Sequence, residues 1–303
     1  MLYLSRFTFP DAEWETGFLM GILRKCYDTF YPFKVLSSRG LEEVEFEPIT
    51  LFYGGNGSGK TTALKILTGV NRPDSGRVTL LGAAPADPAA RAEVGAVFEE
   101  AYFYESMTPA QVGRCLGGIF GSRWDSAYYG ELLGRFGLDS GKPMKEFSRG
   151  MRMKLSLASA LGHRPRLLVL DEATSGLDPV VRGEMLDLFL DFIQDEQHSI
   201  LLSSHITSDL EQVADSIALL HQGRLIFHKN KDELMQEYGI LRCSEDQLRS
   251  LPKDWVVASH RGGCGWESLI HPRARVLHAL PGAVCDPANI DDIMRFYCGR
   301  EHQ

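Results

Sequence analysis

A glycine-rich loop at residues 54–61 constrains the fold of this chain more than any other segment. It reads Gly-Gly-Asn-Gly-Ser-Gly-Lys-Thr, and it follows a short β-prone run from Ile49 to Tyr53. A helical pattern then continues through Leu67. Glycines allow backbone N–H groups to wrap around phosphates, and the helix N-terminus that follows favours negative charge. The succession of strand, loop and helix therefore predicts a nucleoside triphosphate site in an α/β fold.

The side chains of this loop have distinct predicted roles. Lys60 is expected to reach the β- and γ-phosphates, and the Thr61 hydroxyl is expected to bind Mg²⁺. The residues predicted to contact the nucleotide here are Gly54, Gly55, Asn56, Gly57, Ser58, Gly59, Lys60, Thr61 and Thr62.

A second motif joins an apolar run to two acidic residues. Residues 166–170 resemble a buried strand, and Asp171 and Glu172 follow them directly. We expect Asp171 to hold Mg²⁺, directly or through water. We expect Glu172 to accept a proton from the attacking water, or to orient it. The alternative is a strand followed by two solvated acids, and the phosphate loop upstream favours the functional interpretation.

Other apolar runs indicate how these motifs are assembled. Residues 199–202 form a third predicted strand, which ends in Ser-Ser-His at 203–205. Runs without alternation predict parallel strands that are covered on both faces. Ligands of open α/β sheets bind at the carboxyl ends of such strands. Residues 217–220 and 224–227 are separated by a Gln-Gly pair and predict a hairpin.

A third motif, the signature segment, is Phe-Ser-Arg-Gly-Met at residues 147–151. It lies upstream of Asp171 and precedes a helix-prone stretch at residues 152–161. By itself it predicts only a turn and a helix N-cap. Its position relative to the other two motifs makes it informative.

Taken in order, these motifs resemble those of ABC ATPases. The resemblance covers roughly residues 54–238, and the signature segment is similar to the family's LSGGQ sequence in the variant form common among exporters with separate membrane subunits. The matching features are the phosphate loop, the signature segment, Asp171-Glu172, Ser175-Gly176-Leu177-Asp178 and His205.

The resemblance implies a site that two protomers share. In this family two protomers clamp ATP head to tail. Ser148 and Gly150 would then contact the γ-phosphate bound to the opposite protomer, where the helix dipole adds to the attraction. Asp178 would lie at the dimer seam. His205 would bind the γ-phosphate and hold Glu172 and the water in line.

The sequence departs from the family in two places. Glu99 stands where the family has glutamine, and its carboxylate can still bind Mg²⁺ near the nucleotide. Residues 1–53 look more like the start of a soluble AAA-type ATPase. Within that segment Tyr31 has the spacing of the aromatic that stacks on adenine in ABC proteins, although core packing explains it equally well.

The predicted fold class is α/β. It comprises a P-loop core of ABC type with an antiparallel β part, a helical insertion at about residues 99–161, and a small α+β C-terminal extension. We therefore expect an ABC-type ATP-binding domain at residues 1–238 and an accessory domain at residues 239–303.

Local signals add detail to the C-terminal part. Asn230 is a predicted N-cap of a helix that closes the ATPase core. Ser244 and Gln247 fit a capping box. Asp286 and Pro287 fit the N-cap and first residue of a last helix.

The resemblance implies ATP hydrolysis that powers a membrane transporter, of an exporter type with a separate membrane subunit. No apolar run approaches the roughly 18 residues of a spanning helix, so an integral membrane partner is expected to supply that part. The aromatic segment 101–104 would receive this partner. The ATPase subunits would form a homodimer or heterodimer, and the chain would be cytoplasmic, peripheral on the inner face of the membrane.

Two other functions are compatible with the motifs. One is a soluble ABC-class ATPase that acts on nucleic acid or ribosomes, and the other is a non-catalytic ATP-binding module. The formal net charge of -8 argues weakly against nonspecific nucleic-acid binding, and the segment before the signature shows no sustained heptads. No direct nucleic-acid contact is expected. Lys60, Asp171, Glu172 and His205 are all present, which disfavours the non-catalytic reading.

Overall fold

The architecture is taken from a computed structural model of the chain. It describes residues 7–8, 43–44, 48–55, 57–73, 77–99, 103–206, 212–262 and 265–298.

The described residues form β-strands in three sheets. In chain order the strands are β1 (Phe7–Thr8), β2 (Glu43–Val44), β3 (Ile49–Tyr53), β4 (Arg77–Val78), β5 (Val94–Val97), β6 (Leu167–Asp171), β7 (Ser199–Ser204), β8 (Ser216–His221), β9 (Arg224–Asn230), β10 (Gly239–Cys243), β11 (Val256–Gly262), β12 (Gly265–Ile270) and β13 (Val284–Pro287).

The α-helices of the described residues lie between and after these strands. They are α1 (Lys60–Leu67), α2 (Pro88–Arg91), α3 (Pro109–Phe120), α4 (Ser126–Arg135), α5 (Arg149–Leu161), α6 (Pro179–Phe192), α7 (Lys231–Glu237), α8 (Glu245–Ser250), α9 (Arg273–Ala279) and α10 (Ile290–Cys298).

The central sheet has six strands in the order β5-β6-β7-β3-β8-β9. Strands β5, β6, β7, β3 and β8 are parallel, and β9 pairs antiparallel with β8. The predicted parallel strands and the predicted hairpin are thus confirmed. A small antiparallel sheet, β2-β1-β4, supplies a further antiparallel part. The α/β fold class inferred from the sequence is confirmed.

Apolar residues cover both faces of the central sheet because successive side chains of a strand point to opposite faces. Phe52 lies in one hydrophobic cluster with Leu64 and Leu67 of α1. Leu51 lies in the other cluster, which also contains Leu155 of α5 and Phe189 of α6. A parallel sheet covered in this way explains why its strands lack the alternation of a half-exposed strand.

A helical layer occupies the chain between β5 and β6, where the sequence predicted an insertion. It contains α3, α4 and α5. Side-chain caps define where these helices begin: Thr108 caps α3 in a capping box, Asp125 caps α4, and Ser148 caps α5 by accepting a hydrogen bond from the backbone N–H of Met151. The signature segment therefore forms a helix N-terminus whose position local chemistry determines.

The C-terminal segment forms an antiparallel sheet in the order β11-β12-β10-β13. Asn230 caps α7, and Ser244 with Gln247 forms the predicted capping box of α8. The prediction for Asp286 and Pro287 is wrong, because both belong to β13. Backbone pairing of β13 with β10 holds these residues extended, and the last helix begins only at Ile290.

Helix α10 joins the C-terminal segment to the central sheet. Ile290, Ile293, Met294 and Phe296 are at most 4% exposed, and they belong to the same hydrophobic cluster as Leu51. The segment also has a smaller cluster of its own around Leu241 and Ile270. Helix α10 packs against β11 and β12, and its Tyr297 also contacts Phe227 of β9, so the helix lies between the C-terminal sheet and the central sheet.

This burial predicts that α10 contributes to the stability of the whole chain. Replacing Ile293, which is fully buried, with alanine removes three buried carbon atoms and leaves a cavity. We expect Ile293→Ala to lower the free energy of unfolding by about 2–5 kcal/mol in urea titrations. The control Val284→Ala, at a side chain 56% exposed, should change it by less than about 0.5 kcal/mol. This expectation would be contradicted if the C-terminal segment unfolded in a separate step and if Ile293→Ala left the unfolding of the rest of the chain unchanged.

Candidate functional site

The phosphate loop, the acid pair and His205 meet because β3, β6 and β7 are neighbours in the sheet. Their carboxyl ends open onto one cleft of about 730 Å³. The residues that line this cleft are Gly55, Gly57, Ser58, Gly59, Lys60, Thr61, Thr62, Glu99, Glu172, Ser175 and His205.

The glycines of the phosphate loop are required by its backbone geometry. Gly57 and Gly59 have φ angles of 78° and 98°, in the left-handed region that favours glycine. Gly54 packs so closely that a Cβ atom there would lie 2.2 Å from the carbonyl oxygen of Leu220. Gly54 therefore shapes the loop from behind and does not itself line the cleft.

Lys60 is the cation at the base of the cleft, and its residue is only 5% exposed. Its ammonium group donates hydrogen bonds to the carbonyl oxygens of Gly54 and Gly55, and it lies 3.4 Å from Oε1 of Glu172. A buried ammonium needs such partners. Thr61 and Thr62 follow at the start of α1 and are exposed to the cleft.

Ser58 also lines the cleft and is buried. Its hydroxyl has no hydrogen-bond partner among the described residues. A buried hydroxyl without a partner is costly, so the position suits a ligand that presents acceptor oxygens. Together with Lys60, this hydroxyl indicates that the loop fits an anion.

Glu172 connects the cation to the imidazole of His205. Its Oε2 atom lies 2.7 Å from Nδ1 of His205, while its Oε1 atom faces Lys60. Its φ angle of 53° is uncommon for a residue with a side chain. Such backbone strain concentrates at functional sites, and here it directs the carboxylate into the cleft.

Ser203 holds the two acids in place. Its hydroxyl donates to Oδ1 of Asp171 at 2.6 Å and accepts from the backbone N–H of Glu172 at 3.1 Å. Asp171 is 2% exposed and lies behind the surface of the cleft. This geometry favours the reading in which Asp171 reaches a metal through water.

Tyr53, the last residue of β3, brings the C-terminal helix to the edge of the site. It packs against the same hydrophobic cluster as Tyr297 and Cys298 of α10. Burial, with a smaller contribution from the charge of Asp291, raises the pKa of Tyr53 to about 12. The phenol is therefore neutral at any physiological pH.

Several predicted residues lie apart from this cleft. Ser148, Gly150 and Asp178 are absent from its lining, and Ser148 and Asp178 cap α5 and α6. Their positions are compatible with contacts to another protomer's nucleotide, which stays a prediction. Tyr31 and Asn56 lie outside the described residues.

Glu99 lies at the rim of the cleft, with a side chain that is 58% exposed. Its carboxylate is 3.6 Å from Nη2 of Arg149 in the signature segment. Sequence reasoning did not assign roles to Arg149, Ser175 or Ser203. Ser175 and Ser203 each follow a recognised strand or acid pair, but only their contacts distinguish them from other serines.

Across the described ranges, with their gaps, no helix combines the length and apolar character needed to cross a membrane.

Comparison with known proteins supports the interpretation of the site. A family model described as ABC transporter matches residues 43–175, which include the phosphate loop, the signature segment and the acid pair. A solved structure of an ATP-binding subunit of an ABC transporter is 29% identical, with a TM-score of 0.55. That match covers 64% of this chain and 85% of the other.

Curated relatives give the same result. An uncharacterised ABC transporter ATP-binding protein of Nostoc is 36% identical over 222 residues, which cover 70% of this chain and 66% of the relative. The lantibiotic transport ATP-binding protein SrtF of Streptococcus pyogenes is 34% identical, over 59% of this chain and 77% of the relative. For three of the curated relatives the alignment spans 50% to 66% of the relative's own length.

Proposed function

Because the chain belongs to the family of ABC transporter ATP-binding proteins, we propose that it binds and hydrolyses ATP in this cleft to power a membrane transporter. The observation that carries the proposal is the contact series Lys60–Glu172–His205 at the mouth of the phosphate loop. One carboxylate oxygen of Glu172 lies 3.4 Å from the Lys60 ammonium, and the other lies 2.7 Å from Nδ1 of His205.

Lys60 and the loop backbone would hold the triphosphate. The Lys60 ammonium now donates to loop carbonyls and faces Glu172. Phosphate oxygens offer it stronger, charge-assisted acceptors in the same space. The N–H groups at the start of α1 and the hydroxyl of Ser58 add further donors, and the positive end of the helix favours the anion.

Oxygen atoms at this end of the cleft suit Mg²⁺. This ion prefers oxygen ligands and is commonly held by one or two carboxylates together with phosphate oxygens and water. Thr61 would offer its hydroxyl, Asp171 its carboxylate through water, and Glu99 a carboxylate at the rim. When bound, the ion would supply positive charge that neutralises the charge developing on the phosphate oxygens.

Glu172 and His205 would act on the attacking water. Ser203 holds the backbone N–H of Glu172, and His205 and Lys60 contact its carboxylate, so the carboxylate is oriented before the substrate arrives. It would accept the proton of the water, or align it for attack on the γ-phosphate. The side chain of His205 is 47% exposed, and its Nε2 atom would bind the γ-phosphate while Nδ1 holds Glu172.

Glu172→Gln tests this assignment. The amide keeps the shape of the side chain but cannot take a proton, and loss of a general base lowers a rate by about 10²–10⁴-fold. Steady-state hydrolysis should fall by that factor, while ATP binding measured by equilibrium titration persists. The control Glu131→Gln, on the exposed surface of α4, should hydrolyse ATP normally. Near-normal turnover of the Glu172 variant would exclude the role.

The signature segment would complete the site of a second protomer. Ser148 is exposed at the N-terminus of α5, a helix of 13 residues, and Gly150 lies in its first turn. Asp178 is exposed at the N-terminus of α6, and beside it Val180 is 71% exposed. These groups would bind the γ-phosphate and line the seam of a head-to-tail dimer of ATPase subunits.

Complementation between variants tests the shared site. Ser148→Arg blocks the signature contact, and Lys60→Ala removes the phosphate-binding cation, so each variant alone should be inactive. A mixed dimer of the two contains one intact composite site. Mixing them should therefore restore part of the hydrolysis. Absence of recovery, in a sample where mixed dimers are demonstrated by differently tagged subunits, would argue against the head-to-tail arrangement.

Residues 101–104 are the proposed docking surface for the integral membrane subunit, and of these 103 and 104 belong to the described residues. Tyr104 is 80% exposed, whereas Phe103 packs against the core. Backbone hydrogen bonds from Met144 and Lys145 to Met107 and Glu105 fasten this segment beside the signature helix. A partner that binds here would contact the helix that reaches the nucleotide of the opposite protomer.

The remaining proposals concern the setting of this ATPase. SrtF is named for lantibiotic transport, and this supports a transporter role, with export as the proposed direction. The chain would be cytoplasmic and peripheral on the inner face of the membrane. Residues 1–238 would form the ATP-binding domain, and residues 239–303 an accessory domain that packs on it through α10.

Membrane fractionation tests the partner. Expressed with its genetic neighbours, the chain should sediment with membranes and resist a salt wash, because an interface with an apolar core is less sensitive to salt than charge pairing. Tyr104→Asp should release it into the soluble fraction with ATP binding intact. The control Val284→Asp places the same charge on the C-terminal sheet and should remain bound. The transporter role would be overturned if the chain stayed soluble with its genetic neighbours present and if DNA or ribosomes stimulated its ATP hydrolysis.

A further inference from the structure

Arg149 is the first residue of α5, and the proposed function gives it no role. Its Nη2 atom lies 3.6 Å from Oε1 of Glu99, and the two side chains are 54% and 58% exposed. The guanidinium also lies against the backbone of Gly176. A Cβ atom at Gly176 would be 2.8 Å from Nη1 of Arg149 and 3.0 Å from its Cζ. Arg149 therefore contacts both the rim of the cleft and the loop that precedes α6.

The two partners carry opposite charges, which face each other beside the nucleotide cleft. Glu99 stands where the family has a neutral glutamine, so its charge is the one that departs from the family pattern. A cation that meets this carboxylate in space indicates that Arg149 supplies charge compensation for it.

The carboxylate of Glu99 needs this compensation because of where it lies. It lines the same cleft as Lys60, Glu172 and the phosphate loop. A triphosphate in that cleft carries several negative charges, and an unpaired carboxylate at its rim repels them. A guanidinium beside the carboxylate cancels most of that field, and its contact with Gly176 limits how far it can move away.

A second ion pair offers an internal comparison. Arg152 lies one turn further along α5, and its Nη2 atom is 3.8 Å from Oε1 of Glu105. This pair joins the same helix to the same connecting segment. Glu105, unlike Glu99, does not line the cleft. Arg152 therefore joins the helix to the connecting segment as Arg149 does, but its ion pair does not lie at the nucleotide cleft.

We propose that Arg149 is a positioning residue for the nucleotide site. Its guanidinium holds the Glu99 carboxylate at the rim of the cleft and neutralises it, so that the triphosphate can enter. The inference rests on the proposed binding of ATP in the cleft. It assigns to Arg149 an effect on nucleotide affinity that operates through Glu99 and within one protomer.

A double-mutant cycle measured by equilibrium ATP binding tests the proposal. The proteins are the unmodified chain, Arg149→Gln, Glu99→Gln, the double variant and Arg152→Gln, each titrated with ATP in excess EDTA at low salt. Exposed ion pairs are worth little, so Arg149→Gln should raise Kd by about two- to fivefold. The same substitution in the Glu99→Gln background should leave Kd unchanged. Arg149→Lys should retain the unmodified affinity, and Arg152→Gln should behave like the unmodified chain.

The ionic strength provides a second measurement. A loss that arises from an uncompensated charge should shrink when salt is raised, because the Debye length falls from about 30 Å at 0.01 M to about 10 Å at 0.1 M. An equal loss from Arg149→Gln in both backgrounds would show a direct contact of Arg149 with the nucleotide and would overturn the proposal. The proposal would also be overturned if Arg149→Gln left Kd unchanged in both backgrounds. Failure of the unmodified chain to bind ATP would instead refute the proposed function.

Discussion

The parallel pairing of β3 with β7, and of β7 with β6, is the constraint on which the site depends. These strands come from distant parts of the chain, and their register aligns Tyr53 with Ser204 and Asp171 with Ser203. Parallel strands end at the same edge of a sheet, so the phosphate loop, the acid pair and His205 emerge together. Apolar packing on both faces of the sheet maintains this register.

Charge is distributed around the cleft in contacting pairs. Lys60 faces Glu172, Glu172 faces His205, and Glu99 faces Arg149. A cleft that receives a triphosphate needs positive charge at its base, while hydrolysis needs a carboxylate close to it. Pairing reconciles these requirements because each carboxylate has a cation or imidazole beside it. Ser203 extends the arrangement to Asp171 with a neutral hydrogen bond.

The C-terminal segment is connected to this site through the interior of the protein. Helix α10 buries its apolar face in the same cluster as β3, and its last turn packs near Tyr53, directly before the phosphate loop. Rigid packing transmits displacements well because protein interiors are close-packed. The segment therefore supports the edge of the sheet where the phosphate loop begins, in addition to covering the core.

The sequence by itself determined the elements whose causes are local. The phosphate loop, the acid pair after β6, and the caps Asn230 and Ser148 follow from residue types at short spacing, because backbone geometry and capping act over a few residues. Only the tertiary structure decided the contacts between distant segments. Pairing with β10 made Asp286 and Pro287 a strand, and the approach of α5 to the rim of the cleft set Arg149 beside Glu99. Long-range pairing and charge contact depend on the fold as a whole, and no local pattern records them.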